Sequence, residues 1–186
     1  TINATSTLLA GHPYGGYVGA IDDSLGVIQF LTIISKGAMP TACMPRRNGS
    51  IYVGGYVDGL LPVTANAYQG VPMGGMDGML VAVTADGSNL LYGSYVGGTN
   101  NDYAIANIII TEEMVCSLEV LFGITTHSLD YPSTIDTYQP LKLNAGEDQP
   151  SISRFTIPQE KEFMFHAHKA CGEDTFRIVF PCLQPQ

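Results

Sequence analysis

The stretch Met79-Leu80-Val81-Ala82-Val83-Thr84-Ala85-Asp86-Gly87-Ser88-Asn89-Leu90-Leu91-Tyr92-Gly93-Ser94-Tyr95 decides the fold class. Two short apolar runs, 79–84 and 90–95, flank Ala85-Asp86-Gly87-Ser88, and their apolar residues do not recur at helical spacing. Asp-Gly supplies the positive backbone angles of a tight reversal, so the segment reads as a β-hairpin. Working outward, similar runs bounded by Gly, Asn, Asp and Pro predict strands over 17–21, 27–33, 50–57, 104–110 and 115–124. The chain is expected to be all-β.

At 186 residues the chain is one domain by length, or one compact domain with an appendage. Charged residues make up 13%, against about 25% in a typical domain, while 45% are hydrophobic and 21 are Gly. That balance excludes a disordered chain. No run approaches about 18 consecutive apolar residues, so no membrane span is expected. The net charge of -9 repels phosphate backbones, which argues against nucleic acid as a partner. No Lys or Arg lies between Arg47 and Lys142 while acidic residues recur there, leaving the middle of the chain purely anionic.

The chain repeats itself imperfectly. Within 54–69 and 123–139, Gly54, Pro62, Thr64 and Tyr68-Gln69 return in order as Gly123, Pro132, Thr134 and Tyr138-Gln139. A second echo carries 16–22, then Gly26 and Gly37, onto 77–84, then Gly87 and Gly98. The period is thus about 60–70 residues, the length of four short strands, which is one propeller blade. Blades explain both the apolar strands and the abundant Gly, because stacked sheets bring backbones close together. A two-sheet sandwich is the competing architecture; it makes the same short strands without needing internal repetition.

The run Gly74-Gly75-Met76-Asp77-Gly78-Met79-Leu80-Val81-Ala82-Val83, with Asp86-Gly87-Ser88, Leu91-Tyr92-Gly93-Ser94-Tyr95-Val96-Gly97-Gly98 and Asn101-Asp102-Tyr103-Ala104, resembles the SBBP-type bacterial β-propeller repeat. The continuation through Gly123, Ser128-Leu129-Asp130-Tyr131-Pro132 and Tyr138-Gln139 resembles it too, so the likeness covers roughly residues 15–140. Arg47-Asn48-Gly49-Ser50-Ile51-Tyr52-Val53-Gly54-Gly55 keeps the family's turn and strand; 111–118 does not, and a distorted blade is expected there. The resemblance implies a secreted or surface-displayed module for scaffolding, adhesion or recognition, with no shared catalytic residues. The expected architecture is two to three four-stranded blades over 1–140 and a small C-terminal β segment over 141–186.

A closed propeller takes about four to eight blades, so two or three need completing. The partners expected are other segments of a longer parent chain or further copies of this one. Residues 141–186 leave the repeat and hold Lys142, Arg154, Lys161, Lys169 and Arg177, five of the eight basic residues. Strands are predicted there over 152–157, 162–168 and 175–180. The opening Thr1-Ile2-Asn3-Ala4-Thr5 is not that of a signal peptide and reads as processed or excised. Asn3 and Asn48 each begin a sequon, compatible with glycosylation. The four cysteines allow three pairings; Cys171 with Cys182 is preferred because the two bracket the apolar segment 176–180, a staple suited to an oxidising, extracellular compartment.

The residues that carry chemistry are few. His166 and His168 alternate along a predicted strand and would share a face, so together they would hold one metal ion; a third ligand is not identifiable, and an exposed strand face is the plainer reading. No Gly-x-Ser-x-Gly elbow occurs, and His127 sits in a Thr-His-Ser loop without an identified partner. The Gly-rich turns lack the Lys-Ser or Lys-Thr of a phosphate cradle. Asp86, and Asn101 with Asp102, cluster oxygen donors at turns and are the calcium candidates, although turn chemistry alone accounts for them. Tyr103 and Tyr131 are the candidate contacts for a glycan or protein ligand. The chain is expected to be a non-enzymatic scaffold or adhesion module without a cofactor, or alternatively a recognition module at the propeller face.

Overall fold

The computed structural model describes residues 6–7, 15–113, 117–132, 148–158, 161–169 and 172–180. The chain is all-β, and no helix occurs among the described residues. It divides into two compact units, residues 1–108 with 122–153, and residues 109–121 with 154–186.

The first unit is organised around one sheet. Strands β4 (Ala38–Pro45), β5 (Ile51–Val57), β6 (Asp77–Val83) and β7 (Leu90–Val96) pair antiparallel in sequence order, a four-stranded meander. The predicted hairpin is β6–β7, with Met79 opposite Tyr95 and Val81 opposite Gly93. Its turn is closed by the Gly87 amide donating to the Thr84 carbonyl at 2.9 Å, and Gly87 takes φ +68°. Strands β2 (Gly16–Asp22) and β3 (Val27–Ser35) form a similar hairpin, in which Gly26 takes φ +63°. Both glycines take positive φ, but the turns close differently: the Gly26 amide donates to the Asp22 carbonyl four residues back, the Gly87 amide to Thr84 three residues back. The two-residue strand β1 (Ser6–Thr7) adds to β3 in parallel.

Every residue of β6 is buried, because the meander is covered on both faces. Alternate residues of a strand point to opposite faces. One face carries Val53, Val57, Met79, Val81, Val83 and Tyr95, which form a single core with Val18 of β2 and Ile34 of β3. A buried hydrogen bond of 2.7 Å, from the Thr32 hydroxyl to the Gly87 carbonyl, ties β3 to the turn. The opposite face carries Gly54 and Gly78, and onto it pack Ile108, Phe122 and Ile124. These belong to β8 (Asp102–Glu113) and β9 (Ser117–Thr126), which form a sheet in the order β10-β9-β8 with β10 (Gln149–Pro158). A β-carbon at Gly54 would sit 3.0 Å from the Phe122 ring, so the missing side chain lets the layers close.

Among the described residues only the β4–β7 sheet has four strands; the sheets before and after it have three. Strand β4 is absent from the sequence expectation because Pro40 and Pro45 interrupt its apolar pattern. It lies at the sheet edge, where proline is tolerated, and its register shifts between Pro40 and Ala42.

In the second unit, β11 (Lys161–Lys169) and β12 (Gly172–Phe180) pair antiparallel, from Lys161 opposite Phe180 to Lys169 opposite Gly172. The strand expected over 152–157 is β10, which pairs with β9. Arg154 Nε and Glu119 Oε1 approach to 4.0 Å in the same unit, at an exposed arginine. The boundary expected at 140/141 falls outside the described residues. No helix among the described residues is long and apolar enough to cross a membrane.

Candidate functional site

The polar chemistry of the first unit converges where β6 and β8 begin. Asp77 opens β6 and Asp102 opens β8, and each follows a Gly-Gly turn. Their side chains serve the same local purpose. Asp77 Oδ2 accepts from the Met73 and Gly74 amides at 2.8 and 3.4 Å. Asp102 Oδ2 accepts from the Gly98 amide at 2.6 Å and from the Ser128 hydroxyl at 2.9 Å. Both residues are buried, at 1% and 0% exposure.

Gly97 separates the two carboxyls. A β-carbon there would lie 2.0 Å from Asp77 Oδ1 and 3.0 Å from Asp102 Oδ2, so the carboxyls are close neighbours. Burial pushes the Asp77 carboxyl above its ordinary range; the Met73 and Gly74 amides pull it down and the Asp102 charge pushes it further up. The remaining oxygens, Asp77 Oδ1 and Asp102 Oδ1, have no hydrogen-bond partner among the described residues.

Beside this pair lies a row of rings. Tyr103 stacks edge-on against Tyr56, with centroids 5.7 Å apart, and against His127 at 5.4 Å. The His127 ring meets Asp148 Oδ1 at 2.5 Å, with Asp148 largely exposed. Asn101 joins the two groups: its side-chain amide donates to the Tyr103 hydroxyl, its Oδ1 accepts from the Met76 amide, and its carbonyl accepts from the His127 amide. Ser128 Oγ, next in sequence to His127, is committed to Asp102 and to the Asn100 amide, and so is not turned to the imidazole as a nucleophile would be.

No protein-family model matches the chain, and no curated protein matches it.

The structure separates the residues expected to bind calcium. Asn101 and Asp102 belong to the cluster, but Asp86 lies at the far end of β6, about 20 Å of strand away. Asp86 is held within its own turn by the Thr84 hydroxyl and by the Ser88 amide and hydroxyl, which lower its carboxyl to about 2. Tyr103 is half-buried within the ring row. Tyr131 is buried at 3% exposure, its hydroxyl 2.8 Å from Ser153 Oγ, and burial pushes its phenol upward. Asn48 is exposed, and its Oδ1 accepts from the Ser50 amide and hydroxyl.

His166 and His168 lie on β11, opposite Thr175 and Glu173 in register. Asn3, Cys171 and Cys182 lie outside the described residues. Cys43, on edge strand β4, is an exposed free thiol. Among the described residues no three His, Cys, Asp or Glu side chains converge on one point. Sequence reasoning missed Asp77, Tyr56 and the pairing of His127 with Asp148. The available signal was the Gly-Gly turn followed by a strand-opening Asp, present at both 74–77 and 97–102.

Proposed function

We propose that the chain is a segment of an SBBP-type β-propeller that acts as a non-enzymatic scaffold or adhesion module in an extracellular or surface assembly. The observation that carries this reading is the β4–β7 meander, a four-stranded sheet covered on both faces by neighbouring sheets. A two-layer sandwich leaves the outer face of each sheet to solvent, whereas a propeller blade is flanked on both sides. Hairpins β2–β3 and β6–β7, each turning on a glycine at positive φ, support repetition of one structural unit. Three stacked sheets fall short of the four to eight of a closed ring, so the module works with other segments of a longer chain or with copies of itself. The exposed apolar residues Tyr17, Ile21 and Val27, on the β2–β3 hairpin, support a surface that a further sheet would cover.

Light scattering of the native material under nonreducing conditions tests this. A mass at a multiple of 19.9 kDa, or a covalent mass well above it, is the expected result. A stable, folded, monodisperse 19.9 kDa monomer would contradict it. A recognition role is favoured by one observation, the Tyr56–Tyr103–His127 row ending on exposed Asp148, since aromatic faces with adjacent polar groups suit glycan or peptide contact. Under that reading Tyr103→Ala abolishes ligand capture and leaves the assembly mass unchanged.

A further inference from the structure

We infer that Asp77 and Asp102 form a binding site for a divalent cation, calcium by its chemistry, beneath the Gly97-Gly98 turn. Each carboxyl has one oxygen engaged by two donors and the other bare among the described residues; the bare Asp77 Oδ1 and the engaged Asp102 Oδ2 are the oxygens that flank Gly97. Neither Asp77 nor Asp102 is more than 1% exposed, so water does not compensate the bare oxygens from outside. A buried acceptor without a donor is costly, and two adjacent buried carboxylates without a counter-charge are costlier. Among the described residues neither has a basic partner. Two negative charges balance one divalent ion.

The donor atoms choose the ion. Carboxylate oxygens without thiolate or imidazole suit a hard cation and exclude a zinc-type set. Calcium accepts irregular oxygen coordination, backbone carbonyls included, whereas magnesium demands a near-ideal octahedron. The main-chain amides fix both carboxyls in place, and Gly97 is the residue that lets them approach. The site lies between the opening residues of β6 and β8, strands of adjacent sheets, so an ion there would fasten one sheet to the next.

Terbium luminescence and calcium-dependent melting of the full 186-residue chain test the site. The chain has no Trp and 10 Tyr, so phenols are the groups available to sensitise a bound lanthanide. Terbium emission is expected to saturate and to be displaced by calcium with a dissociation constant of about 10⁻⁴–10⁻³ M, and far less readily by magnesium. A hundred-fold excess of calcium over that constant is expected to raise the melting temperature by about 5–10 °C. Asp77→Asn and Asp102→Asn should each weaken binding by about tenfold or more, while Asp86→Asn leaves it unchanged.

If either Asn variant fails to fold, titration of the unsubstituted chain still decides. Absence of calcium-dependent emission change and melting shift overturns the site, as does binding that survives both substitutions or disappears with Asp86→Asn. A melting temperature indifferent to calcium that falls as pH rises would instead mean that the two carboxyls share a proton, and this too overturns the cation site.

Discussion

Phe122 is the residue on which closure of the second face of the meander turns. Its ring carbons lie 3.0 Å from the β-carbon position of Gly54 and 3.3 Å from that of Gly78, and the residue is 1% exposed. Phe122→Ala removes this cover and should cost about 3–5 kcal/mol of stability. The informative partner is Gly54→Ala. The new methyl forces the ring to move, an overpacking cost of about 1–3 kcal/mol, while replacing Gly within a strand returns about 0.5–1 kcal/mol. The net effect is a loss of up to about 2.5 kcal/mol. In the Phe122→Ala background the clash is gone, and the next neighbour, Ile108 Cβ at 3.7 Å, is in ordinary contact. Gly54→Ala should there stabilise by about 0.5–1 kcal/mol, a reversal of sign. Urea denaturation of the four proteins in this double-mutant cycle measures it. An equal cost of Gly54→Ala in both backgrounds would refute the packing of β9 on this face.

Tyr95→Phe removes a hydroxyl that accepts from the buried Leu61 amide at 2.7 Å and donates to the Gly59 carbonyl at 2.9 Å, and the orphaned groups should cost about 1–3 kcal/mol by denaturant titration. Gly87→Ala places a side chain at φ +68° and 2.3 Å from the Phe30 ring, and should exceed the cost of left-handed strain alone, about 1–2 kcal/mol. In metal-free buffer, carboxyl NMR should find Asp86 titrating near 2 and Asp77 above the ordinary 3.8. The signs are opposite: stabilisation from Asp86 is complete above 3.8 and is lost as pH falls toward about 2, while that from Asp77 is complete at low pH and is lost as pH rises through its folded value.

The strands were legible where apolar runs end in Gly, Asn or Asp. The hairpin at Asp86-Gly87 and the strands 17–21, 27–33, 50–57 and 90–95 fall within two residues of the observed bounds. Strand β4 was not legible, because prolines suppress a strand reading in general but not at an edge with a bulge. The site was legible only in part. Asp102 and Asn101 stand in a recognisable turn, and Asp86 in another that looks equivalent in sequence. What separates them is three-dimensional: Asp77 and Asp102 meet across Gly97, 25 residues apart in the chain, whereas Asp86 bonds only within its own turn. Tyr131 follows a turn and reads as an exposed loop residue, yet it is buried against Ser153, a contact 22 residues away.

We propose that the β4–β7 meander is one blade among repeated blades. An electron cryomicroscopy structure of the native assembly tests it most directly. The expected result is an arrangement of sheets around a common axis, with β4–β7 held between the β2–β3 and β8–β10 sheets. A two-layer sandwich, with either face of β4–β7 open to solvent, would contradict it.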